Sequence, residues 1–532
     1  MHPDCPMLGK LYNFLIRPIQ EPLMFIVFFI LVGLIDCGYY LVNSFRYFVL
    51  LFSQAVVVSY CLSFICLMLP SKMQRYTFGL LVVLLLPFFL TDIYCLYIMK
   101  SPLNYDFQIT IMGTHTEEAI SFLESHFKVS FLILSIVAIA LIVVLVRCVY
   151  KSEFRIKGKP WQIVLLLSII CVLLLSLRVP SIYMDGIIGK VSFPIMAERN
   201  PDLRDHLSNP KLLGTSRKPH TIVLIIGESF AKSHSSFSGY PKQTNPRLQK
   251  LCEDSLLFYF DSVESAAVMT VNSFKAIMNT YRHSYKDSIK WYDCPTLCEV
   301  ANLENYRTAW LSNQKHYGWN DNIPGSFSEL CDTAVFIMDN CENEVSYDES
   351  LVDLAKRIIP NDKSDKFVFF HLIGEHIAFC DRYPQSHKLY KGDDYPNLLS
   401  NQKNVIADYD NAVLYNDYVV SGIIDLFKNE ESVVLYVPDH GLDLFDSADD
   451  FYGHPKPTDA VSMYAARQIP FMIYCSPTFQ KNYPDIMKRI KANLHSKFNT
   501  EDLIYTIMDI MGVRFADNDD VAKYSLLHQA GR

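Results

Sequence analysis

His220-Thr-Ile-Val-Leu-Ile-Ile226-Gly227-Glu228-Ser229 sets a charge-free apolar run directly against a glycine, a carboxylate and a hydroxyl. A continuous apolar run of this length, without alternation, reads as a strand buried on both faces. Phe367–Ile373, Ser432–Val437 and Ile469–Tyr474 have the same form, and Thr308–Ser312 is a weaker fifth. Helical stretches separate these runs, which predicts an α/β domain around a mainly parallel sheet. Polar residues follow the strand ends: Gly374-Glu375-His376 after one, Pro438-Asp439-His440-Gly441 after another. In open α/β sheets ligands bind beyond the carboxyl ends of the strands. Glu228, His376, Asp439 and His440 are therefore expected at one edge. Oxygen and imidazole donors from separate strands suit zinc or a comparable divalent ion.

Upstream of residue 218 the sequence changes character. Over 532 residues the chain is 50% hydrophobic and 20% charged, with net charge −8 and mean hydropathy +0.14. The apolar residues are front-loaded into five runs: Leu23–Val42, Phe48–Leu69, Phe78–Met99, Val129–Val146 and Trp161–Leu177. Each approaches or exceeds the length of a helix that spans a bilayer core. The first is too long for a signal peptide and four more follow it. The expected organisation is a five-helix transmembrane domain over 1–177, a polar linker over 178–217 and an α/β domain over 218–532.

Loop charges orient the spans. Lys10 and Arg17, then Lys72 and Arg75, then Arg147, Lys151, Arg155, Lys157 and Lys159 all fall on one side. The positive-inside rule makes that side cytoplasmic, with the N-terminus inside and everything after the fifth span exported. Net acidity without a basic block excludes a nucleic-acid partner. Asp36 and Asp92 lie inside spans, as interfacial or paired residues or in contact with a lipid headgroup. Pro87 is expected to kink the third span, and the exported loop from Ser101 to His126 reads as an interfacial helix.

A metal site of this kind can activate a hydroxyl by lowering its pKa. Ser265, Thr270 and Ser273 all lie between Glu264 and Met278, where Phe274, Ile277 and Met278 begin a helical pattern. Thr270 falls at the helix start, where it would also serve as an N-cap. Residue chemistry alone leaves the three open.

The ordered set resembles the phosphoethanolamine transferases that modify lipid A and related envelope glycans, within the alkaline phosphatase/sulfatase superfamily. It comprises the five spans, Ile-Val-Leu-Ile-Ile-Gly-Glu228-Ser, Ser-Gly-Tyr-Pro-Lys-Gln-Thr-Asn-Pro246 and Thr270-Val-Asn-Ser273. It continues through Phe-His-Leu-Ile-Gly-Glu-His376, Asp381-Arg-Tyr-Pro384, Pro438-Asp439-His440-Gly and Gly453-His454-Pro. The resemblance implies Thr270 as nucleophile, with Glu228, Asp439 and His440 joining it on the main zinc. It implies His376 and His454 on a second metal or the substrate phosphate, and as proton carriers. Thr114 and Glu118 would help receive the lipid donor, and Asn313 and Gln314 would contact the ethanolamine phosphate. One zinc ion is expected and a second is compatible with these histidines; manganese is the weaker alternative.

By the same resemblance, phosphoethanolamine passes from phosphatidylethanolamine through phospho-threonine to lipid A, lipopolysaccharide core or another envelope glycan. The expected setting is a monomer in a bacterial inner membrane with a periplasmic catalytic domain. Two departures stand out: Thr110 at the position of a donor-contacting Asn, and Glu375 where relatives often carry a small polar residue. A phosphoglycerol transferase of the same superfamily is the alternative enzyme, and a non-catalytic sensor or scaffold the alternative outside enzymology.

Seven cysteines lie in or beside the spans and seven in the exported part: Cys252, Cys294, Cys298, Cys331, Cys341, Cys380 and Cys475. An oxidising periplasm permits disulfides. The resemblance implies a short bridged loop, Cys331–Cys341. Cys294–Cys298 is harder to close if both lie on one helix.

Overall fold

Four of the five apolar runs form helices in the computed structural model: α1 (Pro22–Asn43), α2 (Phe45–Met68), α3 (Ser71–Met99) and α4 (Val129–Lys151). All four are long and apolar enough to cross a membrane. The structure describes residues 22–43, 45–99, 102–103, 129–151, 210–214, 218–285, 291–316, 322–340, 346–360, 362, 364–455 and 459–529. The fifth run, Trp161–Leu177, lies outside them, as do Thr110, Thr114, Glu118 and Cys341.

Within the helical unit, close packing is set by small residues. A methyl group on Gly33 would stand 2.3 Å from Cβ of Ala55, so α1 and α2 approach there only because Gly33 lacks a side chain. Asp36 and Asp92 are both buried. Asp92 Oδ1 accepts the Leu103 N–H at 3.1 Å, so this carboxylate caps backbone beyond the end of its own helix. Pro87 is accommodated inside α3, where Thr91 donates its hydroxyl to the Pro87 carbonyl.

The second compact unit comprises mainly Ser192–Arg532. Its strands of three or more residues are β1 (Leu212–Gly214), β2 (Thr221–Gly227), β3 (Leu257–Phe260), β4 (Arg307–Ser312), β5 (Thr333–Phe336), β6 (Lys366–His371), β7 (Ser432–Pro438), β8 (Phe471–Cys475) and β9 (Val513–Phe515). Seven of them form one sheet in the order β3–β8–β7–β2–β6–β4–β5. The five from β7 to β5 are parallel, and β8 runs antiparallel between β7 and β3. β1 falls inside the expected linker, yet pairs with β9 near the far end of the chain.

Alternate residues of β2 explain why its sequence is apolar throughout. Ile222, Leu224 and Ile226 join the apolar cluster on one face of the sheet, Val223 and Ile225 the cluster on the other. Successive side chains point to opposite faces, so a strand covered on both sides needs an apolar residue at every position. One cover includes α5 (Thr270–Ile277), α6 (Leu297–Leu303), α7 (Asn322–Ser328) and α8 (Leu503–Met511). The long helix over Ser400–Phe427 covers the opposite face. All five expected strands are present within two residues of their expected ends. The other two strands of the seven-stranded sheet, β3 and β5, had no sequence expectation; they are four-residue edge strands, too short to carry a period.

Candidate metal centre and hydroxyl site

β2 and β7 are hydrogen-bonded neighbours that end in register, Gly227 opposite Pro438. Glu228 and Asp439 therefore leave the sheet side by side, and the Asp439 N–H donates to the Gly227 carbonyl at 2.9 Å. Glu228, Asp439 and His440 are buried to within 1%, and each offers a donor atom within 4.8 Å of the others. His440 Nε2 lies 3.5 Å from Glu228 Oε1, 3.4 Å from Asp439 Oδ2 and 3.4 Å from Thr270 Oγ1. Four donor atoms from three segments thus face one point.

The hydrogen bonds around that point fix its charge. His440 Nδ1 donates to the Gly441 carbonyl at 2.8 Å, so the proton sits there and Nε2 presents a lone pair inward. Asp439 Oδ1 accepts the N–H groups of Ser229 and His440, while Oδ2 receives no donor among the described residues. Burial, then the neighbouring Asp439, push the Glu228 carboxyl well above its ordinary range. Inward-facing carboxylate oxygens and an imidazole lone pair repel one another unless a cation lies between them. The donor set fits a zinc-type ion: two carboxylates, one imidazole and a hydroxyl.

The structure separates the three candidate hydroxyls. Ser265 and Ser273 are fully buried, and both donate to the Ala267 carbonyl. Thr270 opens α5, and the N-cap position belongs to Met269, which makes no side-chain cap. The Thr270 hydroxyl lies 3.2 Å from Glu228 Oε2 and 3.4 Å from Oε1, so it faces the carboxylate rather than the helix. Ser229, next to Glu228, holds a left-handed backbone at φ 60° and donates its hydroxyl to Glu228 Oε1. A non-glycine residue in that region stores strain; here it aims one carboxylate while its N–H binds the other.

His454 stands beside His440, ring centroids 5.0 Å apart, and its Nδ1 lies 3.3 Å from the Val268 carbonyl. Burial, then the neighbouring His440 and His376, hold its imidazole well below the ordinary value, so it is neutral near pH 7. His376 is half-buried in the loop after β6. That loop reaches Glu228 through Gly374, which adopts φ +50° with the Glu228 backbone only 2.8 Å from where a Cβ would project. The Glu375 N–H then donates to the Glu228 carbonyl at 3.0 Å. Burial, then Asp348, push the Glu375 carboxyl well above its ordinary range. Neither of its oxygens is hydrogen-bonded among the described residues, and nothing in the structure explains why a carboxyl occupies that position.

Asn313 and Gln314 follow β4 at the same sheet edge but are committed to the protein. Asn313 Nδ2 donates to Asp348 Oδ1 at 2.9 Å and to the Ser346 carbonyl, and Gln314 Nε2 donates to the Leu372 carbonyl. Asp348 escaped the sequence reading. It also accepts the N–H groups of Ile373 and Gly374, and so ties the loop carrying His376 to the end of β4. Its partners lie 25 to 35 residues away, so no local pattern could have revealed it.

Fold and donor set together define a metalloenzyme-type α/β domain of the alkaline phosphatase and sulfatase kind. The sulfatase family profile matches residues 220–513, and the chain belongs to that family. Over 313 residues the chain is 26% identical to phosphoethanolamine transferase EptC of Escherichia coli, covering 57% of this chain and 53% of that protein. The match thus spans about half the length of that relative. Phosphoethanolamine transferase EptA of Helicobacter pylori is 24% identical over 418 residues, 75% of this chain and 76% of that one.

The zinc complex of the C-terminal periplasmic domain of E. coli EptC superposes with TM-score 0.54 at 25% identity, covering 61% of this chain and 90% of that one. The integral membrane phosphoethanolamine transferase EptA of Neisseria meningitidis is similar in fold. Its TM-score is 0.63 at 17% identity, over 96% of this chain and 98% of that one.

Proposed function

We propose that the protein is a zinc-dependent phosphoethanolamine transferase anchored in a bacterial inner membrane, with its N-terminus cytoplasmic and its α/β domain periplasmic. Phosphatidylethanolamine is the donor, Thr270 the covalent carrier, and lipid A, lipopolysaccharide core or another envelope glycan the acceptor. The observation that carries this reading is the convergence of Thr270, Glu228, Asp439 and His440 on one point, in a chain whose relatives bear that activity in their names. Basic residues on one side of the spans support the orientation.

Glu228, Asp439, His440 and Thr270 Oγ1 would hold the metal, which when bound lowers the hydroxyl pKa and offsets the phosphate charge. The Thr270 hydroxyl passes its proton towards Glu228 and attacks the donor phosphorus. The phosphorus–oxygen bond to diacylglycerol breaks, and the leaving oxygen takes a proton delivered by His376, the neutral His454 serving as a proton acceptor. Phosphoethanolamine remains on Thr270. An acceptor oxygen then attacks the same phosphorus and gives up its proton to one of these histidines, while the bond from phosphorus to Thr270 Oγ1 breaks and Oγ1 takes its proton back from Glu228. Thr114 and Glu118 are assigned to the donor lipid, and Asn313 and Gln314 to the edge of the headgroup site through the frame they share with Asp348.

In a reconstituted membrane assay with labelled phosphatidylethanolamine, Thr270→Ala is expected to lower transfer by at least about 10³-fold while zinc content and folding persist. Full activity in that variant refutes the carrier assignment. Transfer from phosphatidylglycerol alone would replace this reading with the phosphoglycerol transferase. Mass spectrometry of envelope lipids and glycans, with and without the protein, identifies the acceptor.

A further inference from the structure

Cys298 and Cys331 have no part in the chemistry above. Cys298 is the second residue of α6, and Cys331 lies in the turn between α7 and β5. Their sulfurs are 3.8 Å apart across 33 residues of sequence. Both side chains are buried, at 0% and 8% exposure, in the same apolar cluster as Val300, Phe327 and Phe336.

The backbones on either side are fastened to each other. Asn302 Nδ2, from α6, donates to the Leu330 carbonyl at 2.7 Å, immediately before Cys331. Asp332, immediately after it, donates its N–H to Thr308 Oγ1, and its carboxylate accepts from the Thr308 N–H. α6 is itself held at its start by a capping box between Thr296 and Glu299. The two cysteines are thus presented to each other by a frame that does not depend on a bond between them. Closing from 3.8 Å to the roughly 2.05 Å of a disulfide requires only a small approach of two neighbouring sulfurs.

We propose that Cys298 and Cys331 are joined by a disulfide in the mature protein. The proposal rests on the reading that the α/β domain lies in an oxidising compartment. The two thiols give up two protons and two electrons to the disulfide of a dithiol oxidase or a small-molecule disulfide. That oxidant is reduced to two thiols as the Cys298–Cys331 bond forms. Both cysteines are enclosed once the fold is complete, so the exchange takes place during folding and the bond is afterwards shielded from reductants. It closes a loop that contains α6, β4, Asn313, Gln314 and α7. Because α7 packs on α5, the cross-link braces the layer behind Thr270. It also commits Cys331, so the Cys331–Cys341 bridge cannot form in the same molecule.

The test uses the full-length protein, taken from membranes without reductant and denatured in sodium dodecyl sulfate with N-ethylmaleimide so that buried thiols react, then digested for mass spectrometry. A linked Cys298–Cys331 peptide is expected, with both residues absent from the alkylated pool, and the link persists in Cys341→Ala. Alkylation of both cysteines overturns the proposal, as does a Cys331–Cys341 peptide. Cys380 is exposed and reports the compartment separately, through labelling by a membrane-impermeant maleimide on intact spheroplasts. Labelled Cys380 with free Cys298 and Cys331 means that the cross-link fails and the periplasmic reading stands. Unlabelled Cys380 on intact spheroplasts, labelled after lysis, means that the periplasmic reading itself fails.

Discussion

Two stretches of nearly equal apolarity meet opposite fates in this molecule. α4 exposes most of its length, with Leu132, Ile133, Ile136 and Leu141 each more than 45% accessible, whereas every residue of β2 is buried. The difference lies in the backbone. A helix satisfies its own N–H and C=O groups and can show its apolar side chains to lipid. A strand must borrow hydrogen bonds from neighbours, so β2 exists only between β6 and β7, and its side chains are covered as a consequence. The same contrast governs buried charge. Asp92 meets a backbone N–H beyond its helix, whereas Glu228 and Asp439 meet each other and need a cation.

Removing that cation is expected to have the largest effect. Chelation should abolish transfer and lower the unfolding temperature of the α/β unit by several degrees, because two facing buried carboxylates lose their counter-charge. Calorimetry with zinc added back checks this; an unchanged transition would mean that the carboxylates are neutralised by protons alone.

Gly374→Ala comes next. A Cβ at φ +50° and 2.8 Å from the Glu228 backbone should cost about 1–3 kcal/mol and reduce kcat, since the loop carries His376. Denaturant unfolding measures the first effect, and wild-type stability in the variant would show that the loop has room to move.

Ile136→Lys probes the other unit and should have the smallest effect on transfer per molecule. Ile136 is 57% exposed on α4, and a charge at a lipid-facing position costs roughly 2.5–3.5 kcal/mol on insertion scales, the relief from snorkelling included. Less protein in the membrane fraction, with normal specific activity in what remains, is the expected outcome. Unaltered insertion would mean that this face of α4 meets something other than lipid.

Particular residues mark how far the sequence could be read. The strands of β2, β6 and β7 were legible because burial on two faces demands apolar residues throughout. Glu228, Asp439 and His440 were legible because they follow those strands without a gap. Thr270 was legible only as one of three hydroxyls, since Ser265 and Ser273 look equivalent until each is seen bonded to the Ala267 carbonyl. The antiparallel direction of β8 left no trace, because an apolar run reads the same in either direction.

The sequence alone determined the alternation of apolar runs and polar strand ends, and hence the membrane-anchored α/β plan and the chemical identity of the site's donors. These follow from local hydropathy and from residue chemistry. Tertiary structure alone decided which hydroxyl faces Glu228, that Asn313 answers to Asp348, and that Cys331 stands opposite Cys298. Those contacts join residues 33 to 42 positions apart, and only the packing of helices and strand ends around the sheet brings them together.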